Sequence, residues 1–194
     1  MVSRASLVYP IIVLLLLSVA CGGDPPSKEI QQAQRAIETA RSAGAQRAAP
    51  DELTAAEEAL KNANIAVEQR DYRLALNHAL DSLEHAQTAA AQAADSEAAA
   101  RTTADRAISA ATAALESGRA RLKNAEAAKA PAKALAAARA AESDAERRLQ
   151  EARTAFTNRD YPIATTAASA AAEGIKGAIE ALDAVASPAN RRRR

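Results

Sequence analysis

Cys21 is the residue whose type and position point most directly to a defined chemistry. It is the only cysteine of the 194 residues, and the apolar run Leu14–Ala20, which ends in small residues, precedes it. Arg4, the apolar stretch and the small residues have the order of a secretion signal with its cleavage site. The apolar core is about a dozen residues long, below the ~20 needed to span a membrane as a helix. The pattern therefore predicts a signal peptide over residues 1–20 rather than a transmembrane anchor.

The end of this segment resembles the lipobox of bacterial lipoproteins. The resemblance implies that the thiol of Cys21 receives a diacylglycerol, that the signal is cut before it, and that the new amino terminus carries an acyl group such as palmitate. An unmodified thiol is the alternative, but a lone cysteine would be a liability in an oxidising compartment. Each buried methylene contributes about 0.8 kcal/mol, so these chains would hold the protein on its membrane. We expect no other cofactor. In the lipoproteins that this segment resembles, a residue other than Asp after the cysteine favours export to the outer membrane, so Gly22 leads us to expect an outer-membrane location facing the periplasm.

The charges argue against a general nucleic-acid binder. Of 25 basic and 24 acidic residues, one arginine lies in the signal and four lie in the tail, which leaves a net charge of about −4 on the body. The tail could contact phosphate-bearing lipids, lipopolysaccharide or an acidic partner, or it could be a solvated terminus, which we favour. It consists of Arg191, Arg192, Arg193 and Arg194.

The composition predicts an all-α fold. Alanine fills more than a quarter of the positions, while tryptophan is missing and phenylalanine occurs once. Alanine has the highest helix propensity and buries little area, so the helices must pack closely along thin seams. Disorder is the alternative for so few aromatic residues, but the regular apolar spacing argues against it. We expect elongated, antiparallel, coiled-coil-like helical hairpins or a bundle.

Residues typical of helix caps and helix ends predict where the first helices begin and end. Ser27 could cap a helix over Ile30–Ala43 that ends at Gly44, and Pro50 suits the first turn of the next helix. Asp71 could cap a third, which the short turn would make antiparallel to the second, as an αα-hairpin. The predicted seam of the second helix excludes Ala66 and comprises Leu53, Ala56, Leu60, Ala63 and Val67; that of the third comprises Leu76, Ala79, Leu80, Leu83, Ala86 and Ala90.

The sequence pattern of the first hairpin recurs 89 positions later in the chain. Arg70-Asp71-Tyr72 recurs as Arg159-Asp160-Tyr161, and five further positions match in the same register. Pro162 fits a first helical turn, which supports Asp160 as a second cap. Tyr72 and Tyr161 should therefore lie at hairpin bends, where we favour a plug over each turn rather than a pair of ligand-stacking rings. The further matches are Leu60 with Leu149, Ala63 with Ala152, Val67 with Phe156, Ala75 with Ala164 and Ala79 with Ala168.

A long shared helix should connect the two hairpins. No strong helix breaker occurs between Leu74 and Ser117, Gly118 only weakens the pattern, and Pro131 should open the next helix. We expect four or five helices in all. The predicted organisation is a signal peptide (1–20), a lipidated linker (21–29), two helical hairpin units (30–94 and 95–187) and a basic tail (188–194).

The motifs of the first unit resemble a bacterial lipoprotein family known only as a domain of unknown function. The similar segments are Ala36–Gly44, Ala49–Leu53 and the Asp71-Tyr72 turn, after a lipobox. The second copy is partial, because its Ala-Pro segment stands eight residues farther from the matching leucine. The resemblance implies an envelope location and leaves the activity open.

We expect no enzyme and no metal site. His78 and His85 are seven residues apart, about 10 Å along a helix, too far to share one ion. The first hypothesis is a lipid-anchored helical spacer, scaffold or docking surface for an envelope protein or peptidoglycan partner. The second is an envelope binding module for peptidoglycan, lipopolysaccharide or another ligand. The sequence leaves the partner and the oligomeric state open.

Overall fold

The structure is a computed structural model that describes residues 24–186. This part of the chain contains six α-helices. The predicted all-α class is confirmed, and residues 24–186 contain no strand. The prediction of four or five helices missed the four-residue α2. The helices are α1 (Ser27–Ser42), α2 (Ala45–Ala48), α3 (Pro50–Glu68), α4 (Tyr72–Ala127), α5 (Ala132–Thr157) and α6 (Tyr161–Ala186).

The chain divides into two compact units between Ser96 and Glu97. The first unit contains α1, α2, α3 and the beginning of α4, and the second contains the rest of α4 together with α5 and α6. The predicted long helix is confirmed, since α4 continues through Gly118 for 56 residues. Its high alanine content explains how one glycine is tolerated at a cost of about 1 kcal/mol.

The core of the first unit is a thin seam of alanines. Helices α1, α3 and α4 all contribute small side chains to it, and Ile37 and Leu53 are its larger members. Small side chains allow helix axes to approach closely, so the seam follows from the composition. Its buried cluster is Ile37, Ala40, Ala45, Ala49, Leu53, Ala56, Ala86, Ala89 and Ala93.

The face that α4 buries in this unit differs from the predicted one. Leu76 is 36% exposed and Leu80 is 47% exposed, so these two leucines lie outside the core. Ala66, which was predicted to lie off the α3 seam, is buried. On α4 the buried positions in this unit recur every three or four residues and carry only small side chains, which lets the neighbouring helix axes approach closely. These buried positions are Ala75, Ala79, Ser82, Ala86, Ala89 and Ala93.

The ends of α1 also depart in part from the prediction. Ser27 is the first residue of the helix rather than its cap; Pro26 occupies the cap position, and the Ser27 hydroxyl donates to the Pro25 carbonyl (3.4 Å). The carboxyl end is as predicted: Gly44 has φ +87° and donates its N–H to the Arg41 carbonyl at 3.0 Å. Glycine suits this left-handed conformation because it has no Cβ.

The second unit has a thicker core than the first. Leucine and isoleucine from α4, α5 and α6 meet in it, and Gly118 lies buried among them on α4. A Cβ at Gly118 would lie 2.6 Å from Ile175 Cγ1, so the glycine lets α6 approach α4 closely. The larger buried members are Leu115, Leu122, Leu149, Ile175, Ile179 and Leu182.

Candidate functional site: the two Arg-Asp-Tyr turns

The two Arg-Asp-Tyr turns end their helices with the same backbone hydrogen bonds. Asp71 N–H donates to the Ala66 carbonyl at 2.9 Å, and Asp160 N–H donates to the Ala155 carbonyl at 2.8 Å. The preceding arginines have φ of 60° and 62°. This is the Schellman arrangement, in which a left-handed residue follows the helix and the next N–H bonds back to its last turn.

A third turn of this kind joins α4 to α5. Lys129 has φ 56°, and Ala130 N–H donates to the Ala125 carbonyl at 3.0 Å. The predicted helix start near Pro131 is confirmed, but the left-handed Lys129 before it was not predicted, because glycine rather than lysine is the usual residue at that position. The left-handed conformation costs a residue with a Cβ roughly 1 kcal/mol. A cation at a helix carboxyl terminus offsets part of this cost through the helix dipole.

The aspartates of the two turns are bonded differently. Asp71 Oδ1 accepts a hydrogen bond from Leu74 N–H at 3.0 Å, which satisfies one of the free donors at the start of α4. Both aspartates also accept a backbone bond through their carbonyls, Asp71 from Ala75 N–H at 2.9 Å and Asp160 from Ala164 N–H at 3.0 Å, but among the described residues the Asp160 carboxylate accepts no hydrogen bond from an N–H of α6. The repeat in sequence is therefore a repeat of backbone geometry more than of side-chain capping.

The tyrosines lie one in each unit and differ in burial. Tyr161 is only 7% exposed and packs edge to face against Phe156, with ring centroids 5.4 Å apart and an interplanar angle of 68°. It belongs to a small cluster with Ala104, Ala155 and Ala164. Tyr72 is half-buried. A ring as covered as that of Tyr161 packs over its turn and offers no free face on which a ligand could stack.

Arg159 of the second turn is held by a carboxylate that sequence reasoning did not identify. Its Nε donates to Glu97 Oε1 at 2.9 Å, and Nη2 donates to the same oxygen. This hydrogen bond to Glu97 raises the pKa of the Arg159 guanidinium above its usual value. Because Glu97 is 62 residues away in sequence, no local signal could have paired the two.

The two histidines contact different carboxylates. His85 Nδ1 is 2.7 Å from Glu52 Oε2, which joins α4 to α3, whereas His78 Nδ1 is 4.0 Å from Asp81 on its own helix. Among residues 24–186, no group of three or more His, Cys, Asp and Glu is placed to hold a metal ion. The groove beside Gly118 is open to solvent and is lined by Ile175, Ile179 and several charged side chains.

Two predicted sites lie outside the described residues. These are Cys21, the predicted point of lipid attachment, and the four tail arginines, Arg191, Arg192, Arg193 and Arg194. Within the described part of the chain, no helix combines the length and the apolar character that crossing a membrane requires.

One family of known proteins matches the part of the chain around the first turn. Residues 28–105 match the family described as "Domain of unknown function (DUF4398)". The DUF4398 match includes α1, α2, α3 and the turn at Arg70, and it ends in α4 before the second turn. The predicted resemblance to a family of unknown function is thus confirmed over this segment. No curated protein and no solved structure matches the chain.

Proposed function

We propose that the chain is a lipid-anchored, non-enzymatic protein of the bacterial cell envelope whose helices serve as a scaffold or partner-docking surface. The observation that carries the proposal is Cys21 directly after Leu14–Ala20. A thiol at that place in a secretion signal is the acceptor that the lipoprotein pathway uses. Two or more acyl chains give an anchor far stronger than the marginal hold of one.

The charged side chains of the body support a scaffold rather than a reaction centre. Several ion pairs join neighbouring helices within a unit, among them Arg41 with Glu57 at 2.8 Å, Arg139 with Glu126 at 2.7 Å, and Arg121 with Asp183 at 2.6 Å. All six side chains are substantially exposed. Such pairs contribute at most about 1 kcal/mol each, and they fix helix register on a solvated surface.

The anchor is tested by mass spectrometry and membrane fractionation of the protein expressed in a bacterial host. We expect the wild-type protein to begin at an acylated Cys21 and to sediment with membranes, and the Cys21→Ala variant to lose the acyl mass and the signal cleavage. A Gly22→Asp variant is the matched control, since it should stay acylated while moving toward the inner membrane. A wild-type protein without acyl mass would overturn the proposal.

The role as a docking surface is tested in the envelope itself. Crosslinking of the acylated protein in its own membrane, followed by purification, should recover a defined protein partner. Cosedimentation with purified peptidoglycan or lipopolysaccharide would instead favour the alternative, an envelope binding module. The protein should contribute no enzymatic step in either case.

A further inference from the structure

The charges of the body are distributed unevenly along the chain. Residues 24–96 contain seven basic and twelve acidic side chains, a net charge of −5. Residues 121–139, the end of α4 and the start of α5, contain five basic and one acidic side chain, a net charge of +4. A body that is acidic overall therefore has one strongly basic segment.

Three lysines of this segment have no counter-charge among the described residues. Arg121 and Arg139 are neutralised by Asp183 and Glu126. The exposed Lys123, Lys129 and Lys133 lie in no ion pair with a described carboxylate. All three are within about 6 Å, along a helix axis, of the α4–α5 turn. We call this surface the lysine end.

The end of α6 lies beside the lysine end. Arg121 Nη1 is 2.6 Å from Asp183 Oδ2, and Leu182 shares a buried cluster with Leu122 of α4.

Helix stability does not account for all of these charges. Lys123 and Lys129 lie at the carboxyl end of α4, where a cation is favourable to the helix dipole. Lys133 lies in the first turn of α5, where a cation is unfavourable, and that turn contains no acidic residue. Lys133 therefore gains no stabilisation from the helix dipole, and its charge stays available to an anionic partner.

We propose that the lysine end docks onto the anionic headgroups of a phospholipid surface. Flexible lysines with separate point charges suit a layer of phosphates that has no fixed geometry. Residues 121–139 contain no aromatic side chain, whereas single-stranded nucleic acids are bound by aromatic stacking together with charge. Near an anionic membrane each lysine is expected to raise the binding constant about fivefold.

Vesicle cosedimentation tests this surface apart from the lipid anchor. The full chain with Cys21→Ala is mixed with vesicles of phosphatidylcholine alone, or of phosphatidylcholine with phosphatidylglycerol. All variants share the segment before residue 24, so its contribution cancels in comparisons between them. The test variant is K123Q/K129Q/K133Q. The matched control is R73Q/R101Q/R106Q, which removes three exposed arginines that also lie outside the recorded ion pairs.

We expect the parent chain to prefer the anionic vesicles, and that preference to weaken at high salt. The lysine variant should lose binding by on the order of 100-fold at low salt, and the arginine control should lose severalfold at most. Circular dichroism checks that both remain helical. Equal losses in the two triple variants, no preference for anionic vesicles, or retention on a nucleic acid without vesicle binding would each overturn the proposal. None of these outcomes bears on acylation of Cys21.

Discussion

At the residue scale, Gly118 tests how closely α4 and α6 approach. Replacing glycine by alanine in an open helix stabilises it by about 1 kcal/mol. At Gly118, however, the new methyl would lie 2.6 Å from Ile175 Cγ1, and Ile175 is itself fully buried. We expect Gly118→Ala to lower the free energy of unfolding by ~1–3 kcal/mol, as for other overpacked cores. Urea denaturation followed by circular dichroism measures the change.

Gly177 on α6 supplies the matched control, because a Cβ there meets no atom within 4 Å. Gly177→Ala should raise the free energy of unfolding by up to about 1 kcal/mol. A Gly118→Ala protein that is stabilised as much as Gly177→Ala would show that the two helices are farther apart than described.

The two aspartates of the turns should differ on substitution. Asp71→Ala removes the bond from Leu74 N–H at the start of α4 and should cost about 1 kcal/mol. Asp160→Ala should cost less, because the Asp160 carboxylate caps no N–H of α6 in the described structure, and the bond from Ala164 N–H to the residue 160 carbonyl is retained in alanine. Thermal melts of the two variants make the comparison. A larger loss for Asp160→Ala would contradict this difference in capping.

Asp144 offers a prediction on pH. Hydrogen bonds from Arg148 first, and from Arg147 second, lower the pKa of its carboxyl. A lowered pKa means that the contribution of Asp144 to stability is present above its ordinary value near 4 and is lost as the pH falls through the lowered value. In NMR titrations, Arg148→Gln should move this pKa back up more than Arg147→Gln does. The reverse order would contradict the described geometry.

At the scale of elements, α4 shows that size and burial need not coincide. Leu80 is 47% exposed, whereas Leu149 on α5 is 4% exposed. Truncation of a buried leucine removes transfer energy and leaves a cavity, so Leu149→Ala should cost 2–5 kcal/mol, an approximate range. Leu80→Ala should change stability by less than about 1 kcal/mol. Chemical denaturation of both variants tests the face assigned to α4, and a Leu80→Ala loss near that of Leu149→Ala would contradict it.

The helix boundaries were largely predictable because local chemistry sets them. Pro50 opens α3, Gly44 follows α1 and Pro131 precedes α5, each for a reason contained in one or two residues. The buried face of α4 was not predictable in the same way. Hydrophobicity favours leucine for a core, but a closely packed seam selects for small side chains, and that depends on the neighbouring helix.

In the two Arg-Asp-Tyr turns, too, the location was predictable from local sequence and the tertiary contacts were not. The repeated Arg-Asp-Tyr located both bends, since their spacing and Pro162 could be read from the sequence. The contacts that differ between them could not be read, because Glu97 reaches Arg159 only through the packing of the second unit. The left-handed conformation of both arginines also had no local signal, as glycine is the residue expected there.

At the scale of the whole molecule, one helix belongs to two compact units, and its burial changes where they meet in sequence. Along α4 a buried residue recurs every three or four positions through Ala93, and the next is Ala104. The segment 94–103 between them has no fully buried side chain. Few buried contacts mean a low free energy of local opening. The hydroxyls of Thr102 and Thr103 also bond back to carbonyls four residues earlier, which slightly weakens a helix.

We therefore expect the amides of segment 94–103 to exchange with solvent faster than those between Ala75 and Ala93, in hydrogen-exchange mass spectrometry. Alanine propensity keeps the segment helical at rest, so the difference should appear as opening rather than as permanent disorder. Within α4, limited trypsin digestion should cut first after Arg101, and Arg101→Gln should delay that cut. Arg119 on the same helix is the internal control, because buried Leu115, Gly118 and Leu122 surround it. Equal exchange along the whole of α4 would contradict this expectation. It would mean that helix propensity, rather than burial, sets the local stability of segment 94–103.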